Sequence, residues 1–372
     1  MQNCKIKIKL KSAIITPFQS DTIFGHICWA LRYVEGEEYL LDFLSAYDNG
    51  EPPLVISSAF PEGYLPYPVL PPMDKSTSKQ LIEKHWEHKD FLSGVNGLKK
   101  LSKIKHISKD ILGVIKGNIS NWLIIEQILN NPHICPKTTS KLPTACPVKY
   151  SDNKITCRYI SSSKTGCPSD YLEIIRKTET KNNVTYHAKI NRLSGTAIDG
   201  GLFTTDDTFY GTDSFECYCK TGSNFSEEVL KKCLQFININ GFGKKKSSGK
   251  GSVCCTLESI VPEYSFDDSN AFMTLSNYVP KADDSERGFY NIFTKYGKLG
   301  GHFASSPLKD GLNPMPFKYP LIMFEPGSVF IVKEANSYYG RMIKGIHSFS
   351  DIDITHYGLA YPLHLKVEVS DE

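Results

Sequence analysis

The sequence lacks an apolar run that approaches the roughly 20 residues of a membrane span, and Met1 to Lys7 does not resemble a signal peptide. We therefore expect a cytoplasmic protein with no membrane partner. Net charge is also scarce, at +3 for 372 residues. Bulk electrostatics are then too weak to indicate nucleic-acid binding, which can only be argued from where the lysines lie. The chain is 40% hydrophobic and 12% aromatic, which excludes disorder and allows two domains.

Paired metal ligands are missing as well. The eleven cysteines are an odd number spread over the chain, and without a secretory signal we expect them to be reduced. A loosely even series is formed by Cys135, Cys146, Cys157 and Cys167. Zinc ligands usually come in pairs two to four residues apart, and no two of these four cysteines are that close. We expect free thiols, no metal and no cofactor, with a structural zinc as the alternative.

The most informative feature that is present is the segment Gly241 to Gly251, which contains four glycines, four lysines and two serines. Glycine permits positive φ and close approach of the main chain, so backbone N–H groups can point at phosphate oxygens while the lysines supply positive charge. This glycine loop suits an anionic polymer such as a phosphate backbone. The same composition also fits a mobile, solvated linker.

The position of the glycine loop excludes two common phosphate-binding motifs. The sequence predicts an amphipathic helix at Ser226 to Ile237, with Ser226 as N-cap, and a strand at Ser252 to Leu257. The loop thus runs from helix to strand, whereas the P-loop and the dinucleotide fingerprint run from strand to helix. The glycine spacing fits neither motif. Nucleotide hydrolysis and dehydrogenase chemistry lose most of their support.

At the start of the chain, Lys5 to Lys11 alternates strictly between lysine and apolar residues and predicts a strand with a lysine face. That face is either an RNA contact or a solvated strand whose lysines block edge-to-edge association. A helix is predicted next, with Ser20 or Asp21 as its N-cap.

Residues 77 to 131 are predicted to be helical, and 132 to 170 to be an irregular insertion. Two strands, at 171 to 177 and 184 to 190, are predicted to form a hairpin across residues 181 to 183. In the turn that follows, Arg192 and Thr196 flank a glycine, where they could hold a phosphate or cap the hairpin. A second block with its own strand signals begins near Tyr264.

This order of elements indicates an α+β protein with two ferredoxin-like β-α-β-β-α-β domains. The first spans 1–262, with helical and hairpin insertions at about 75–190 and the glycine loop at 241–251. The second, more degenerate domain spans 263–372.

Four segments carry a resemblance to a known family: Ser20 to Phe24; Asn191 to Ala197 with Gly201 to Phe203; the glycine loop; and Pro320 to Phe330 with Tyr357 to Ala360. In these the chain resembles the RAMP superfamily of CRISPR-associated proteins, whose hallmark is a glycine-rich loop after the last helix of a ferredoxin-like domain. Within it, the match is closest to the subunit of the type III-A (Csm) effector complex that holds the 5′ end of the CRISPR RNA.

The resemblance implies a non-catalytic RNA-binding subunit. Such a subunit caps the complex, cradles the repeat-derived 5′ tag, and joins the large polymerase- and nuclease-like subunit to the backbone RAMP subunits. The residues of the glycine loop agree with this role, since a single RNA strand offers phosphates to the loop and splayed bases to other side chains. The expected RNA-binding residues are Gly241, Gly243, Lys244, Lys245, Lys246, Ser247, Ser248, Gly249, Lys250 and Gly251, with Arg192 and Thr196 as second choices.

The main alternative is an enzyme: a repeat-processing endoribonuclease of the same superfamily that uses His26 as general acid or base. Against it, His26 lies in an apolar helical segment, and a long block follows the glycine loop. Asp21 invites a second enzymatic hypothesis, because backbone subunits of these complexes cut RNA with an aspartate, although a helix cap is the simpler interpretation. An RNA-binding module outside CRISPR systems is a third possibility.

Overall fold

A computed structural model describes residues 1–85, 91–115, 118–130, 149–151, 154–156, 180–260, 268–285, 287–304, 316–347 and 354–368. Cys135, Cys146, Cys157 and Cys167 lie outside these residues, as does the predicted strand at 171 to 177.

Seven α-helices lie within the described ranges: α1 Ser20–Val34, α2 Glu37–Asp48, α3 Lys75–His85, α4 Phe91–Leu101, α5 Lys109–Val114, α6 Asn121–Asn130 and α7 Glu227–Asn240. The strands of the same ranges are β1 Gln2–Leu10, β2 Leu54–Pro61, β3 Tyr64–Pro66, β4 His106–Ser108, β5 Asn118–Ile119, β6 Lys149–Ser151, β7 Lys154–Thr156, β8 Thr180–Ile190, β9 Ala197–Tyr210, β10 Ser214–Thr221, β11 Val253–Ser259, β12 Ala271–Thr274, β13 Gly288–Phe289, β14 Ile292–Lys295, β15 Leu321–Phe324, β16 Val329–Ile331, β17 Tyr339–Gly340, β18 Leu359–Ala360 and β19 Pro362–Val367. Short 3₁₀ turns occur at Lys246–Ser248 and Gly301–Ala304.

The first sheet has the strand order β11-β1-β10-β2, with every neighbouring pair antiparallel. Alternation along β1 buries Cys4, Ile6 and Ile8 in the hydrophobic core, as predicted. Helices α1 and α7 pack against each other and add their apolar sides to the same core. The mixed α+β class is thus confirmed.

The lysine side chains of β1 are neither an open RNA-binding face nor the guard of a sheet edge. β1 is a central strand rather than an edge, so its lysines have no edge to protect. Lys5 pairs with Glu216 at 2.9 Å, and Lys7 with Glu258 at 3.0 Å. Lys9 lies 3.9 Å from a carboxylate oxygen of Asp213. The prediction of an open basic sheet face is therefore wrong, because acidic side chains on the neighbouring strands and turns neutralise it.

Glu216 is the centre of that neutralised side. It is 3% exposed and accepts hydrogen bonds from the ammonium groups of Lys5 at 2.9 Å and Lys109 at 2.6 Å. Burial by itself raises the pKa of this carboxyl, but the two lysine hydrogen bonds outweigh burial and lower the pKa to about 2. The carboxylate is therefore charged at neutral pH and joins the sheet to helix α5.

The second sheet has the order β13-β16-β12-β19-β5. Its edge strand β5 comes from the helical insertion of the first block and pairs parallel with β19, in the register Asn118 to Lys366 and Ile119 to Val367. No α-helix follows Asn240 in the described residues. The second block thus completes its sheet with a strand from the first.

Hydrogen bonds also join strand β2 of the first sheet to the second block directly. The Tyr357 hydroxyl accepts from the Ile56 N–H at 2.8 Å, the Ser276 hydroxyl donates to the Ile56 carbonyl at 2.9 Å, and the Ser58 N–H donates to the Leu275 carbonyl at 2.9 Å. Buried residues of both blocks belong to one continuous hydrophobic cluster. The division at residue 262 stays a prediction.

The start of α1 takes part in this junction. Gln19, not Ser20 or Asp21, is the N-cap, and it caps without a side-chain hydrogen bond. The Ser20 hydroxyl accepts from the Asn277 N–H at 2.9 Å, and the Asp21 carboxylate accepts from the Asn277 side chain at 2.7 Å. The cap prediction is wrong because both side chains point to the second block instead of folding back onto their own helix.

Strands β8 and β9 form a long, largely exposed antiparallel hairpin. Residues 181 to 183, predicted as its turn, lie inside β8, and the partner strand is β9. The observed turn is the segment Asn191 to Thr196, where the Asn191 N–H donates to the Thr196 carbonyl at 2.9 Å. The hairpin is thus longer, and starts later in the chain, than the sequence predicts.

Candidate nucleic-acid interface

The glycine loop follows helix α7, whose first turn is as predicted. The Ser226 hydroxyl accepts from the Val229 N–H at 3.3 Å, and Glu227 and Glu228 lie in the first turn. The helix ends at Gly241, which has a φ of 75° and donates its N–H to the Ile237 carbonyl at 2.7 Å. A glycine with positive φ is a common helix terminator because no Cβ opposes that conformation.

Four hydrogen bonds donated by backbone N–H groups fix the base of the loop. The Phe242 N–H donates to the Gly251 carbonyl at 2.7 Å and closes the neck. The Gly251 N–H donates to the carbonyl of Ala13 at 2.9 Å. The Gly243 N–H donates to His26 Nε2 at 2.9 Å, and the Lys244 N–H donates to Thr16 Oγ1 at 3.1 Å.

A buried aromatic side chain adds to these anchors. Phe242 is 4% exposed and packs against Phe18 and His26, with ring centroids 4.9 Å and 4.5 Å away. The loop is therefore held by the β1–α1 connection and by helix α1. A mobile, solvated linker does not fit this geometry.

Two of the glycines are required by space as well as by conformation. Gly243 has a φ of 79°, and a Cβ there would lie 2.7 Å from the Cβ of Thr16. Gly251 has a φ of 69°, and its Cβ would collide with the Phe242 carbonyl. Any other residue at these positions would push the loop away from its anchors.

The outer part of the loop is exposed and rich in donors. Lys244, Lys245 and Lys246 are exposed, and none has a carboxylate within 4 Å in the described part of the chain. Lys245 adopts the left-handed conformation, with a φ of 60°. In the same part of the chain, the N–H groups of Lys245, Lys246 and Ser247 have no acceptor. Together with Ser248 they form an exposed, positively charged turn.

Lys250 differs from the other three lysines. Its ammonium group lies 2.5 Å from the carboxylate of Asp207, which is 1% exposed. The same carboxylate accepts from the Thr185 hydroxyl at 2.7 Å. Hydrogen bonds from Lys250 and Thr185 lower the pKa of Asp207. Lys250 thus braces the loop against the hairpin, and it is the loop lysine that the geometry favours least as a phosphate contact.

The hairpin places an aromatic pair beside this brace. His187 and Phe203 are opposite each other in the register of β8 and β9, and their rings stack with centroids 5.0 Å apart and 18° between the planes. The Lys245 ammonium group lies 5.0 Å from the Phe203 ring centroid. Nothing in the sequence singles out His187 on β8 or Asp207 on β9 as site residues, since the alternation of each strand shows only which neighbours share a face with them.

Arg192 and Thr196 are not brought to the glycine loop. They lie at the distal turn of the hairpin, where Thr196 Oγ1 and Ser194 Oγ are 2.8 Å apart. Four steps along β8 separate His187, which pairs with Phe203, from Asn191 at the start of the turn, roughly 13 Å at about 3.3 Å per residue. The hydrogen bonds of this turn fit a cap of the hairpin, and a phosphate contact there stays a prediction.

His26 supports the loop instead of facing open solvent. Its Nε2 accepts from the Gly243 N–H, so the proton of the neutral ring lies on Nδ1. Burial, with a smaller contribution from the Lys246 charge, lowers the pKa of His26 to about 4. A neutral ring whose Nε2 is engaged by the backbone is poorly placed to exchange protons with a substrate.

Asp21 is likewise engaged. Its carboxylate lies 2.8 Å from the Lys295 ammonium group and 3.4 Å from His356 Nε2, and the residue is 8% exposed. Burial and the nearby Lys318 lower the pKa of His356 to about 4. Asp21 thus serves as an ionic link between α1 and the second block.

The described ranges contain no group of three or more His, Cys, Asp or Glu side chains suited to hold a metal ion. Nor does any helix there combine the length and apolar composition needed to cross a membrane.

Comparison with known proteins gives one sequence match. A family model described as the RAMP superfamily matches residues 16–254, a range that includes α1, the hairpin and the glycine loop. None of the curated proteins matches the sequence.

Three solved structures illustrate the similarities in shape. A chain of a Csm1–Csm4 cassette in complex with AMPPNP has 14% sequence identity and a TM-score of 0.49, with 100% of both chains covered. A chain of a Csm3–Csm4 subcomplex of the type III-A CRISPR-Cas interference complex has 13% identity and a TM-score of 0.44, with 99% of this chain and 100% of that one covered. A chain of a type III-B Cmr-beta complex bound to cognate target RNA and AMPPnP has 11% identity and a TM-score of 0.38, with 88% and 86% covered. None of these three reaches 0.5, so the family assignment rests on the sequence match.

Proposed function

The chain belongs to the RAMP superfamily, and on that premise we propose that it is a non-catalytic, RNA-binding subunit of a type III-A CRISPR effector complex. In this proposal it caps the complex and holds the 5′ repeat-derived tag of the CRISPR RNA. Its protein partners are the large polymerase- and nuclease-like subunit and the backbone RAMP subunits.

The proposal includes an interpretation of the fold. The chain order β1, α1, β2, β10, α7, β11 and the sheet order β11-β1-β10-β2 correspond to a β-α-β-β-α-β ferredoxin-like unit. The second sheet is then a degenerate copy, completed by β5. The helical insertion and the β8–β9 hairpin interrupt the first unit.

The anchored glycine loop is the observation that carries the proposal. Its base is fixed by His26 and Thr16, whereas its outer turn presents three lysines and backbone donors to solvent. A preorganised row of N–H groups with nearby positive charge is the arrangement that binds phosphate oxygens. A single RNA strand supplies phosphates in series, and each one neutralised by a lysine contributes about 0.7 to the slope of log K against log salt.

The state of His26 supports a holding role over cleavage. A general base must reach the proton that it removes, and His26 Nε2 is already bonded to Gly243. The repeat-processing nuclease therefore remains the second candidate only because the same family includes nucleases.

The test is binding to an RNA that begins with the processed 5′ tag. Controls are the same RNA with its tag scrambled and a DNA of the same sequence. The purified chain, alone and with its proposed partner subunits, is titrated by fluorescence anisotropy, and RNA length is read on a denaturing gel. We expect the tagged RNA to bind tightest and to stay intact. Equal affinity for all three nucleic acids would contradict a tag-holding role.

Cleavage on the same gel would decide for the second candidate. Products cut within a repeat by the wild-type chain and lost in His26→Ala would overturn the non-catalytic assignment. His26→Phe is a useful companion variant, since it keeps a ring against Phe242 and removes every titrating nitrogen.

A further inference from the structure

The hairpin face beside the glycine loop carries a flat aromatic pair that the core does not use. Phe203 is 37% exposed and stacks on His187, and the ring of His187 is held by a 3.0 Å contact between its Nε2 and Thr205 Oγ1. Neither residue belongs to the hydrophobic core. An exposed aromatic ring held in a fixed orientation provides a π-face on which a planar ligand can stack.

The position of this pair relative to the loop is fixed. The ion pair between Lys250 and Asp207, two strand positions from Thr205, ties the loop to the same hairpin face. Lys245, one of the exposed loop lysines, reaches across to the Phe203 ring, with its ammonium group 5.0 Å from the centroid. One side chain of the glycine loop therefore already spans the distance between the loop and the ring.

We propose that Phe203 and His187 form a stacking subsite for one nucleobase of a single-stranded RNA whose adjacent phosphate lies on the glycine loop. The proposal rests on the proposed RNA-holding function and adds a base contact to it. Without RNA, the Lys245 ammonium group covers the ring as a cation–π contact. With RNA, Lys245 turns to the phosphate and the base takes its place.

Such a subsite accounts for a loop lysine lying beside the aromatic pair. Base stacking on an aromatic ring accepts any base, because every base has a π-face, while the lysine contacts follow the backbone. The subsite therefore fixes the register of the strand on the loop without reading the edges of that base. Sequence reading of the tag must lie elsewhere.

The other face of the same hairpin provides a matched control. Tyr186 is 77% exposed and lies opposite Thr204, one residue from His187 in β8. Successive strand residues point to opposite faces, so Tyr186 faces away from the glycine loop. It has a comparable exposed ring on the same element but no neighbouring loop lysine.

The experiment uses the full chain and a set of tagged RNAs in which one nucleotide at a time is abasic. In the wild-type protein, one abasic position should weaken binding by about 10-fold. Phe203→Ala should weaken binding of the intact RNA by a similar factor and show no further loss with that abasic RNA, with the salt slope unchanged. Phe203→Trp should restore affinity, and Tyr186→Ala should match the wild type.

A measurement without substitution guards against misfolded variants. RNA carrying 2-aminopurine at the sensitive position should be quenched on binding to the wild-type chain, since stacking on an aromatic ring quenches this base. The stacking subsite is overturned if tagged RNA binds with the expected salt slope but no single abasic position weakens it, or if Phe203→Ala binds intact RNA as the wild type does. Failure of the wild-type chain to bind RNA at all would instead reject the proposed function.

Discussion

Two lysine-rich segments that look alike in the sequence end in opposite electrostatic environments. The lysines of β1 lie in the middle of a sheet and pair with Glu216, Glu258 and Asp213. The lysines at the outer turn of the glycine loop have no carboxylate within ion-pair distance in the described part of the chain. The number of lysines in a segment therefore says little about anion binding, because the acidic residues that neutralise it are distant in sequence.

The largest effect that would break this comparison is expected at Glu216. Glu216→Gln would remove the buried carboxylate that pairs with the two largely buried lysines Lys5 and Lys109, and we expect a loss of about 3–5 kcal/mol in the free energy of unfolding. Urea denaturation measures it. Glu258→Gln, at a side chain that is 43% exposed, is the matched control and should cost less than about 1 kcal/mol.

Glu216 also makes this stabilisation pH-dependent. Its pKa of about 2 lies below the ordinary value of about 4.3, so the folded state favours the charged form. The contribution is present above about pH 4.5 and is lost as the pH falls toward 2. Glu216→Gln should remove that part of the acid dependence of stability. An unchanged acid profile in the variant would assign the loss to other carboxylates.

The next largest effect should come from the loop. Reversal of Lys244, Lys245 and Lys246 to glutamate should weaken RNA binding by about 100-fold at 0.1 M salt and flatten the salt dependence. Thermal unfolding should be unchanged, because these side chains are exposed. Unaltered RNA affinity at low salt would refute the loop assignment.

A smaller effect on stability is expected from His26, which anchors the base of the glycine loop. His26→Phe keeps a ring against Phe242 and leaves the Gly243 N–H without its acceptor, at a cost of about 1–3 kcal/mol. In the wild type the same bond should fail as the pH falls from about 5 toward 3, because the folded His26 takes up a proton near its pKa of about 4, which lies below the ordinary value of about 6.5. The Gly243 amide resonance in NMR reports both changes. A resonance that ignores pH in this range would place its acceptor elsewhere.

The smallest effects are expected from single lysine substitutions, one on β1 and one on the glycine loop. Lys9→Gln on β1 removes an exposed charge beside Asp213. It should change the free energy of unfolding by less than about 1 kcal/mol and leave the slope of RNA affinity against salt unchanged. Lys244→Gln on the loop should lower that slope by about 0.7. Equal behaviour of the two variants would mean that the loop is not the preferred site.

Local pattern was enough to predict much of the fold. The alternation of β1, the helix that follows it and the cap of α7 at Ser226 are confirmed, because each depends on residues a few positions apart. The anchoring of the loop could not be predicted, since it joins Gly243 to His26 across the whole insertion.

The errors share a physical cause. Ser20 and Asp21 have the composition of helix caps, but tertiary partners in the second block offered them better hydrogen bonds. The hairpin partner was misplaced because the pairing of β8 with β9 is set by cross-strand register, which a local pattern does not contain. In each case a contact distant in the sequence overrode a local preference.

The strand that the helical insertion contributes to the second sheet bears on the order of folding. Asn118 and Ile119 pair with Lys366 and Val367. During synthesis, β5 therefore lacks its partner strand until about 250 further residues have been made, which takes roughly 12 to 50 seconds at about 5–20 residues per second. During that interval its partner edge does not exist, and the insertion is without its final contact. Strand β19 thereby completes both blocks at once, and a chain cut short before β19 would leave the early block unfinished as well as the late one.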